Sequence, residues 1–383
     1  MPVTPARAVL LASGPGFTGM FLLFAVLPVI GSQSLGAVGA GLATTAFMVT
    51  TVATQIFVPT LLTRFRPALL FAASLVLLGI PALAYLVTLP SGLFLLITAV
   101  RGIGFGLLTI VSVSLAAHYA EPTRQGAAQG ALGLVTSLSG VVTPGVGLWL
   151  LENTARAIPI TLGVLIPLVG LVFLGPIRRE SRTPVSKRHD PVDGAKVRIP
   201  LWTFIPVAVF LPSAIVYGAL YTFLPLESSV APVALIAVGL GYVLGRSTGG
   251  RLVDRTSMSR VLIPATIIGA VAIAILGIVT SDVVDTAMSA VLGASIGAGG
   301  TAALTGMLAL VEPSRYGVVS MAWNMTFDGG ILLSGVLIGV IVATSGFTIA
   351  MIVLAIWLGL MGIIALATAS RVRNSRIPQP ITG

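Results

Sequence analysis

The chain has 383 residues, of which 56% are hydrophobic and 8% are charged, and its mean hydropathy is +1.08. Soluble domains carry about 25% charged residues, so this sequence has too little charge to cover a water-exposed surface. It contains no cysteine, which excludes a disulfide scaffold, thiol chemistry and a cysteine-ligated metal. The composition also excludes a disordered chain or a coiled coil, and predicts a protein that crosses a membrane several times.

Apolar runs of about 20 residues, the length that crosses a hydrocarbon layer of roughly 30 Å, follow one another along the chain. The first run is followed by too many others to be a signal peptide, and it has no obvious cleavage site. The pattern predicts an all-α membrane protein with twelve transmembrane helices, near residues 9–31, 38–61, 67–88, 92–119, 125–150, 157–177, 201–226, 232–253, 259–281, 284–311, 316–343 and 346–369.

Most of the 21 Lys and Arg residues fall in or near the gaps on the side of the membrane that holds the N-terminus, and Arg246, toward the end of the predicted span 232–253, is counted with them. The gaps on the other side carry the acids Glu152, Glu227, Asp282 and Asp285. By the positive-inside rule, this distribution predicts a multi-pass protein of the inner (cytoplasmic) membrane with both termini in the cytoplasm. The basic residues do not alternate with aromatic residues on one face, so the net charge of +10 does not indicate nucleic-acid binding.

The one long polar stretch, residues 178–200, contains Pro and charges of both signs without helical periodicity. It predicts a flexible cytoplasmic linker and divides the twelve spans into two sets of six. The domain prediction is therefore a six-helix bundle at 1–177, the linker, and a second six-helix bundle at 201–383 that ends in a short cytoplasmic tail.

The two halves repeat one another with an offset of 191 residues. Glu121-Pro122-Thr123-Arg124 recurs as Glu312-Pro313-Ser314-Arg315, and each copy links the fourth and fifth spans of its half. Parallel repeats of this kind are related by an axis along the membrane normal, with a substrate site between the halves near mid-bilayer. The repeat favours a transporter over an enzyme or a receptor.

Local motifs then resemble the major facilitator superfamily over essentially the full length of the chain. Gly249-Gly250-Arg251-Leu252-Val253-Asp254-Arg255, after span eight, is similar to the Gly-x-Leu-x-Asp-Arg loop of that family, whereas the first-half copy at 60–66 lacks the acid and the glycine. Span four contains an Arg-x-x-x-Gly-like sequence at 101–106. In span five, Pro144 and Gly147 match the Gly-Pro-x-x-Gly element of antiporters, although Thr143 replaces the glycine before Pro. Residues 217–226 in span seven resemble twelve-helix drug:proton antiporters and sugar-efflux exporters.

The resemblance implies proton-coupled efflux of a small organic molecule by alternating access, with a proton symporter or uniporter that imports a nutrient as the alternative. It implies a gating latch at the loop, where Asp254 accepts bonds from basic groups or a helix N-terminus. The alternative is that Asp254 only neutralises nearby arginines at the membrane surface. The gating set is Gly250, Arg251, Asp254 and Arg255, with Arg64; the helix-packing set is Gly102, Gly106, Pro144 and Gly147.

Arg101 and Asp328 are the charged residues that fall well inside predicted spans. Charges at this depth are costly and are functional hypotheses by default. Helical rise places both at comparable depths in opposite halves, and Asn324 lies one turn before Asp328. We therefore predict proton coupling in a central cavity by Arg101, Asp328 and Asn324. The structural alternatives are that Arg101 binds helix carbonyls and that Asp328 is a protonated packing residue.

Other predicted cavity residues are Tyr217, Tyr221, Trp323, Phe17, Phe21, Gln55 and Gln129, for which helix packing is the alternative role. No nucleotide-binding loop occurs, so ATP-driven transport by this chain alone is excluded. Two histidines and no cysteines predict no metal site, and we expect no cofactor and no catalytic residue. The expected partners are a small-molecule substrate, protons and the lipid bilayer, and the expected state is a monomer. Few cavity charges favour lipophilic, zwitterionic or weakly charged substrates, without a choice among them.

Overall fold

The computed structural model describes residues 4–120, 125–180, 200–312 and 315–374. Within them, eleven helical segments are long and apolar enough to cross a membrane. The first, Pro5–Arg64, has 60 residues, about 90 Å of helix at 1.5 Å per residue, which is far too long for one crossing. Leu35 and Gly36 leave helical geometry there, and the φ of Gly36 is 57°. The chain reverses at this glycine, so the predicted architecture of twelve spans is confirmed.

The first half begins with that helical pair and continues through four further spans. Spans three and six, predicted as uninterrupted, each contain a 3-10 segment. The elements are α1 Pro5–Phe24, α2 Val26–Arg64, α3 Pro67–Gly79 with the 3-10 segment Ile80–Leu86, α4 Ser91–His118, α5 Gln125–Asn153, α6 Ala157–Val169, the 3-10 segment Gly170–Phe173, and α7 Leu174–Glu180.

The second half has the same order of spans, and its eleventh contains a short π-helix. The elements are the 3-10 segment Leu201–Phe204, α8 Ile205–Glu227, α9 Ala231–Arg255, α10 Met258–Ile278, α11 Asp282–Leu308, α12 Tyr316–Leu333, the π-helix Ser334–Ile338, α13 Gly339–Ser345, and α14 Phe347–Asn374. Most of the predicted linker, at 181–199, and the tail after residue 374 lie outside the described residues. The domain boundaries therefore stay a prediction.

Glycines set the same helix contact in both halves. A Cβ added at Gly106 of α4 would lie 2.6 Å from the Thr51 carbonyl oxygen of α2, closer than real Cβ atoms come to a neighbour. Its repeat equivalent, Gly297 of α11, meets the Tyr242 carbonyl oxygen of α9 in the same way. Thr51 and Tyr242 are 191 residues apart, and so are the two glycines. Small residues allow such close approach where lipid gives no hydrophobic drive for association, so the sequence repeat is also a repeat of packing.

The closest backbone contacts between the halves lie toward one end of the bundle. We call the end that carries the first residue of α1 and the last of α14 the terminal face, and the other end the far face. Near the far face, Thr44 of α2 and Thr222 of α8 share a hydrogen bond of 2.8 Å. The α2 backbone at Gly41 meets the π-helix at Gly335, where an added Cβ would lie 2.6 Å from the Gly41 carbonyl oxygen. These contacts close the far face. The lining of the space between the halves reaches Gln129, four residues from the terminal-face end of α5, so that space opens toward the terminal face.

Candidate functional site

A cavity of about 300 Å³ lies between the two halves. Spans from both halves contribute to it, and its walls are mainly aromatic, with a few hydroxyl, amide and charged groups. Its aromatic lining is Phe17, Phe21, Phe24, Phe105, Tyr217, Tyr242, Trp323 and Phe327. Its polar lining is Thr109, Gln129, Thr136, Ser137, Arg246, Asn324 and Asp328. An apolar pocket with few polar groups is the usual form of a site for a small organic molecule.

Asp328 places a carboxyl group in this cavity, as predicted. It lies twelve residues into α12, about 18 Å along the helix from its start, and is partly accessible. The side-chain amide of Gln55 on α2 donates a hydrogen bond of 2.7 Å to its Oδ2, and the same nitrogen donates to the Thr109 hydroxyl at 3.2 Å. Among the described residues, no cation pairs with Asp328. The carboxyl group thus joins the two halves through a neutral partner.

Arg101 does not lie in the cavity, which corrects the sequence prediction. It is 1% exposed, and its Nε donates to the Leu78 carbonyl oxygen at 2.9 Å. Its guanidinium carbon lies 5.9 Å from the ring centre of Phe47 and 5.8 Å from that of Tyr85, inside the first half. The predicted equal depth is also wrong: Gln55 contacts both Thr109 and Asp328, and Thr109 is eight residues from Arg101 on α4, about 12 Å along the helix. Arg101 and Asp328 therefore do not form an ion pair, and the alternative of carbonyl binding describes Arg101.

Most of the other predicted cavity residues do line it: Phe17, Phe21, Gln129, Tyr217, Trp323 and Asn324. Tyr221 does not, because it is fully buried against Phe24 at 5.5 Å and Tyr217 at 4.7 Å between ring centres. Gln55 is 1% exposed and does not line the cavity, but its side-chain amide donates a hydrogen bond to Asp328, which does. Trp323 stacks on Phe327 and donates to the Gly300 carbonyl oxygen at 3.1 Å, so packing fixes its orientation.

The predicted gating residues lie at the terminal face. Arg64, Arg251, Asp254 and Arg255 are exposed, and Asp254 makes no hydrogen bond or ion pair with any residue in the described ranges. Within the described residues the latch is therefore not formed in this conformation, and its role stays a prediction. The neighbouring Gly250 has room for a side chain, with the nearest atom 3.6 Å from an added Cβ.

The predicted packing residues take part in close helix contacts. An added Cβ at Gly102 would overlap the Phe47 carbonyl oxygen, and one at Gly147 would overlap the Leu22 carbonyl oxygen of α1. α5 continues through Pro144 as one helix, and the hydroxyl of Thr143 donates to the Ser139 carbonyl oxygen beside it. Pro144 thus lies within a continuous helix.

Sequence reasoning missed Arg246, which it counted among the membrane-surface basic residues. Arg246 lines the cavity, and its guanidinium reaches from α9 to α5, where Nη2 lies 3.8 Å from the position of a Cβ at Gly133. The repeat could have found it, because Arg246 is 191 residues after Gln55, and Asp328 is 191 residues after Ser137. In both pairs the residue of the first half is neutral and its equivalent in the second half is charged.

This set of features defines a class of protein. Two repeated bundles enclose a central cavity between them, closed at one face and open at the other, which is the architecture of a membrane transporter. The family model described as Major Facilitator Superfamily matches residues 9–335. The chain belongs to this superfamily and is a multi-pass membrane transporter of small molecules, not an enzyme.

Solved structures of three transporters share the fold over nearly the whole chain. A bacterial homologue of the human lysosomal transporter Spinster, described as inward-facing and unoccupied, is 15% identical, with 98% of each chain covered and a TM-score of 0.75. The nucleoside transporter NupG is 12% identical, with 95% of this chain and 99% of that chain covered and a TM-score of 0.72. A variant of the peptide transporter POT is 11% identical, with 96% and 94% covered and a TM-score of 0.75. Comparison with curated proteins finds no match.

Proposed function

We propose that the protein is a proton-coupled exporter that expels a small organic molecule in exchange for protons, and that it belongs to the drug:proton antiporter or sugar-efflux-type branch of the superfamily. The observation that carries this proposal is the carboxyl group of Asp328. It faces the cavity and is held by the uncharged Gln55, so a proton or a substrate can neutralise it.

The physical basis is the cost of a carboxylate away from water. An ion at this depth that lacks a counter-ion is destabilised by several kcal/mol. Asp328 is therefore most stable when it binds a proton, or when a donor or cationic group of the substrate replaces that proton. Two ligands that use one carboxyl group exclude each other, and their alternate binding in the two conformations produces antiport.

Export is proposed because Pro144 and Gly147 in span five and residues 217–226 in span seven resemble exporters. The positive-inside distribution supports a cytoplasmic terminal face in the inner membrane, so the cavity of this conformation would open to the cytoplasm. We propose that both termini are cytoplasmic and that the transporter acts as a monomer. The alternative function is import by proton symport or by uniport, and the experiment below distinguishes it from export.

Everted membrane vesicles test the proposal. Compounds selected by growth inhibition of a deletion strain would be added to energised vesicles, and collapse of the pH gradient would be followed with an indicator dye. Wild type should collapse the gradient, whereas Asp328→Asn should not, because it fixes the neutral state. Asp282→Asn is the matched control, since Asp282 is exposed near the far face and bonds to Ser229 at 2.8 Å. Gradient collapse by Asp328→Asn at the wild-type rate, or uptake into intact cells, would contradict proton-coupled export.

A further inference from the structure

Arg246 brings a second full charge into the cavity. Its side chain is partly buried, lines the cavity, and makes no hydrogen bond or ion pair within the described part of the chain. Charged groups within a membrane-spanning bundle pair with an opposite charge or face a polar cavity, and they mark substrate pathways. Asp328 is the one acid that lines the cavity among the described residues, and Gln55 holds it. A ligand can therefore supply the anionic partner of Arg246.

The repeat fixes where this charge lies relative to Asp328. An axis along the membrane normal relates equivalent residues of the two halves, at equal depth on opposite walls. Arg246 is the equivalent of Gln55, which contacts Asp328. Arg246 is nine residues from the end of α9, about 14 Å of helix, and Asp328 is twelve from the start of α12, about 18 Å. One wall therefore presents a cation and the opposite wall a carboxyl group, at similar heights.

Aromatic rings occupy the wall beside these charges. The ring centre of Tyr217 lies 5.2 Å from that of Phe327 and 5.8 Å from that of Tyr242, and all three rings line the cavity. Flat apolar groups stack or pack edge-on against such rings at these separations. The site thus offers three kinds of contact to one ligand: the Arg246 guanidinium for an acidic group, the Asp328 carboxylate for a cationic group, and an aromatic surface.

We infer that the substrate is a zwitterion with an aromatic body, an inference that rests on the proposed proton exchange at Asp328. The acidic group binds Arg246, whose fork of donors suits a carboxylate, and the ammonium group binds ionised Asp328. With Asp328 ionised, the two charges of the cavity cancel and match a neutral zwitterion. With Asp328 protonated, the ammonium group loses its anionic partner and the ligand is bound more weakly. Proton and substrate therefore compete for Asp328.

Calorimetric binding to the full-length protein in detergent tests the inference with tryptophan, its methyl ester and N-acetyltryptophan. These share one aromatic body but are zwitterionic, cationic and anionic. Wild type should bind tryptophan about tenfold more tightly than either derivative, a difference of about 1.4 kcal/mol. Arg246→Gln, which installs the residue of the other half, should lose the preference over the ester and keep that over N-acetyltryptophan. Asp328→Asn should do the reverse.

Two further variants keep the result decisive. Arg260→Gln removes an exposed arginine at the start of α10 and should keep the wild-type pattern. If Arg246→Gln does not fold, Arg246→Lys retains the charge without the fork and should keep a weakened preference over the ester.

Equal binding of the three ligands, no binding of tryptophan to wild type, or a wild-type pattern in folded Arg246→Gln would overturn the inference. Binding needs no gradient, so this test is separate from that of the proposed function. A charge preference without proton-driven transport would overturn only the exchange mechanism. Proton-driven transport of a ligand that lacks one of the charges would overturn only the zwitterion.

Discussion

Gly335→Ala tests whether the contact at the far face holds the protein in the conformation described above. An added Cβ at Gly335 would lie 2.6 Å from the Gly41 carbonyl oxygen and 2.5 Å from the Thr45 hydroxyl oxygen. Ordinary contact distances are about 3.5 Å, so α2 and the π-helix would have to separate by about 1 Å. One of the two atoms is backbone and cannot rotate away, which makes the clash difficult to relieve.

The magnitude follows from the cost of overpacking. An extra methyl group in a well-packed contact costs about 1–3 kcal/mol, and 1.4 kcal/mol is a factor of ten in an equilibrium. The contact joins the two halves, so the cost falls on the conformation in which the far face is closed. We expect the equilibrium to shift by about 5- to 150-fold toward the conformation that is open at the far face.

A single cysteine can report this shift because the chain has none of its own. Ser137→Cys, in the cavity lining, would be labelled by a membrane-impermeant maleimide from each side of oriented vesicles. Gly335→Ala should slow labelling from the terminal face and speed it from the far face. Gly147→Ala also overlaps a carbonyl oxygen, that of Leu22, but within the first half, so it should lower stability without changing the labelling ratio.

Gly130→Ala completes the comparison. It is an exposed helical position with nothing within 4 Å of an added Cβ; Ala there should not lower stability and should leave the labelling ratio at the wild-type value. An unchanged labelling ratio in folded Gly335→Ala would refute the reasoning that the far-face contact sets the conformational equilibrium.

Two further predictions concern charges outside the cavity. We expect the Asp254 latch to form only in the other conformation, and Asp254→Asn, which removes the carboxylate, should therefore reduce transport. Normal transport at normal expression would mean that Asp254 only neutralises nearby arginines at the membrane surface. Arg101→Met keeps contact with Phe47 and Tyr85 and removes a buried cation whose terminal nitrogens have no hydrogen-bond partner, so the unfolding temperature in detergent should not fall. Arg101→Ala leaves a void and should cost about 2–5 kcal/mol; an equal loss in Arg101→Met would show that the charge itself is stabilising.

The fold could be predicted from the sequence because hydropathy and span length encode membrane crossing directly. Gly36, where the chain reverses, lies between the predicted spans 9–31 and 38–61. The local irregularities could not be predicted. The 3-10 segment Ile80–Leu86 and the π-helix Ser334–Ile338 differ from their neighbours in hydrogen-bond register, which leaves hydropathy unchanged.

The candidate site was predicted in part, and the failures share one cause. Asp328 and Asn324 line the cavity, whereas Arg101 lies eight residues before Thr109 on α4, about 12 Å nearer the far face, and points into the first half. Counting residues from a predicted helix end gives only an approximate depth, and direction depends on which neighbours pack around the helix. Arg246 was missed because it lies two turns from the polar end of α9, beside Ser247 and Thr248, where a basic residue also fits the membrane surface.

Ser137→Asp tests the opposite wall of the cavity by placing a second acid at the repeat position of Asp328. Ser137 lies one turn beyond Gly133, the position on α5 that the Arg246 guanidinium approaches, so the new carboxylate should pair with Arg246 and compete with the acidic group of the ligand. We expect tryptophan affinity to fall to that of its methyl ester, with no further loss when Arg246→Gln is added, because both changes remove one interaction. Ser137→Asn has the same shape without the charge and should bind tryptophan like wild type. Wild-type affinity in Ser137→Asp would mean that Arg246 does not hold the carboxylate.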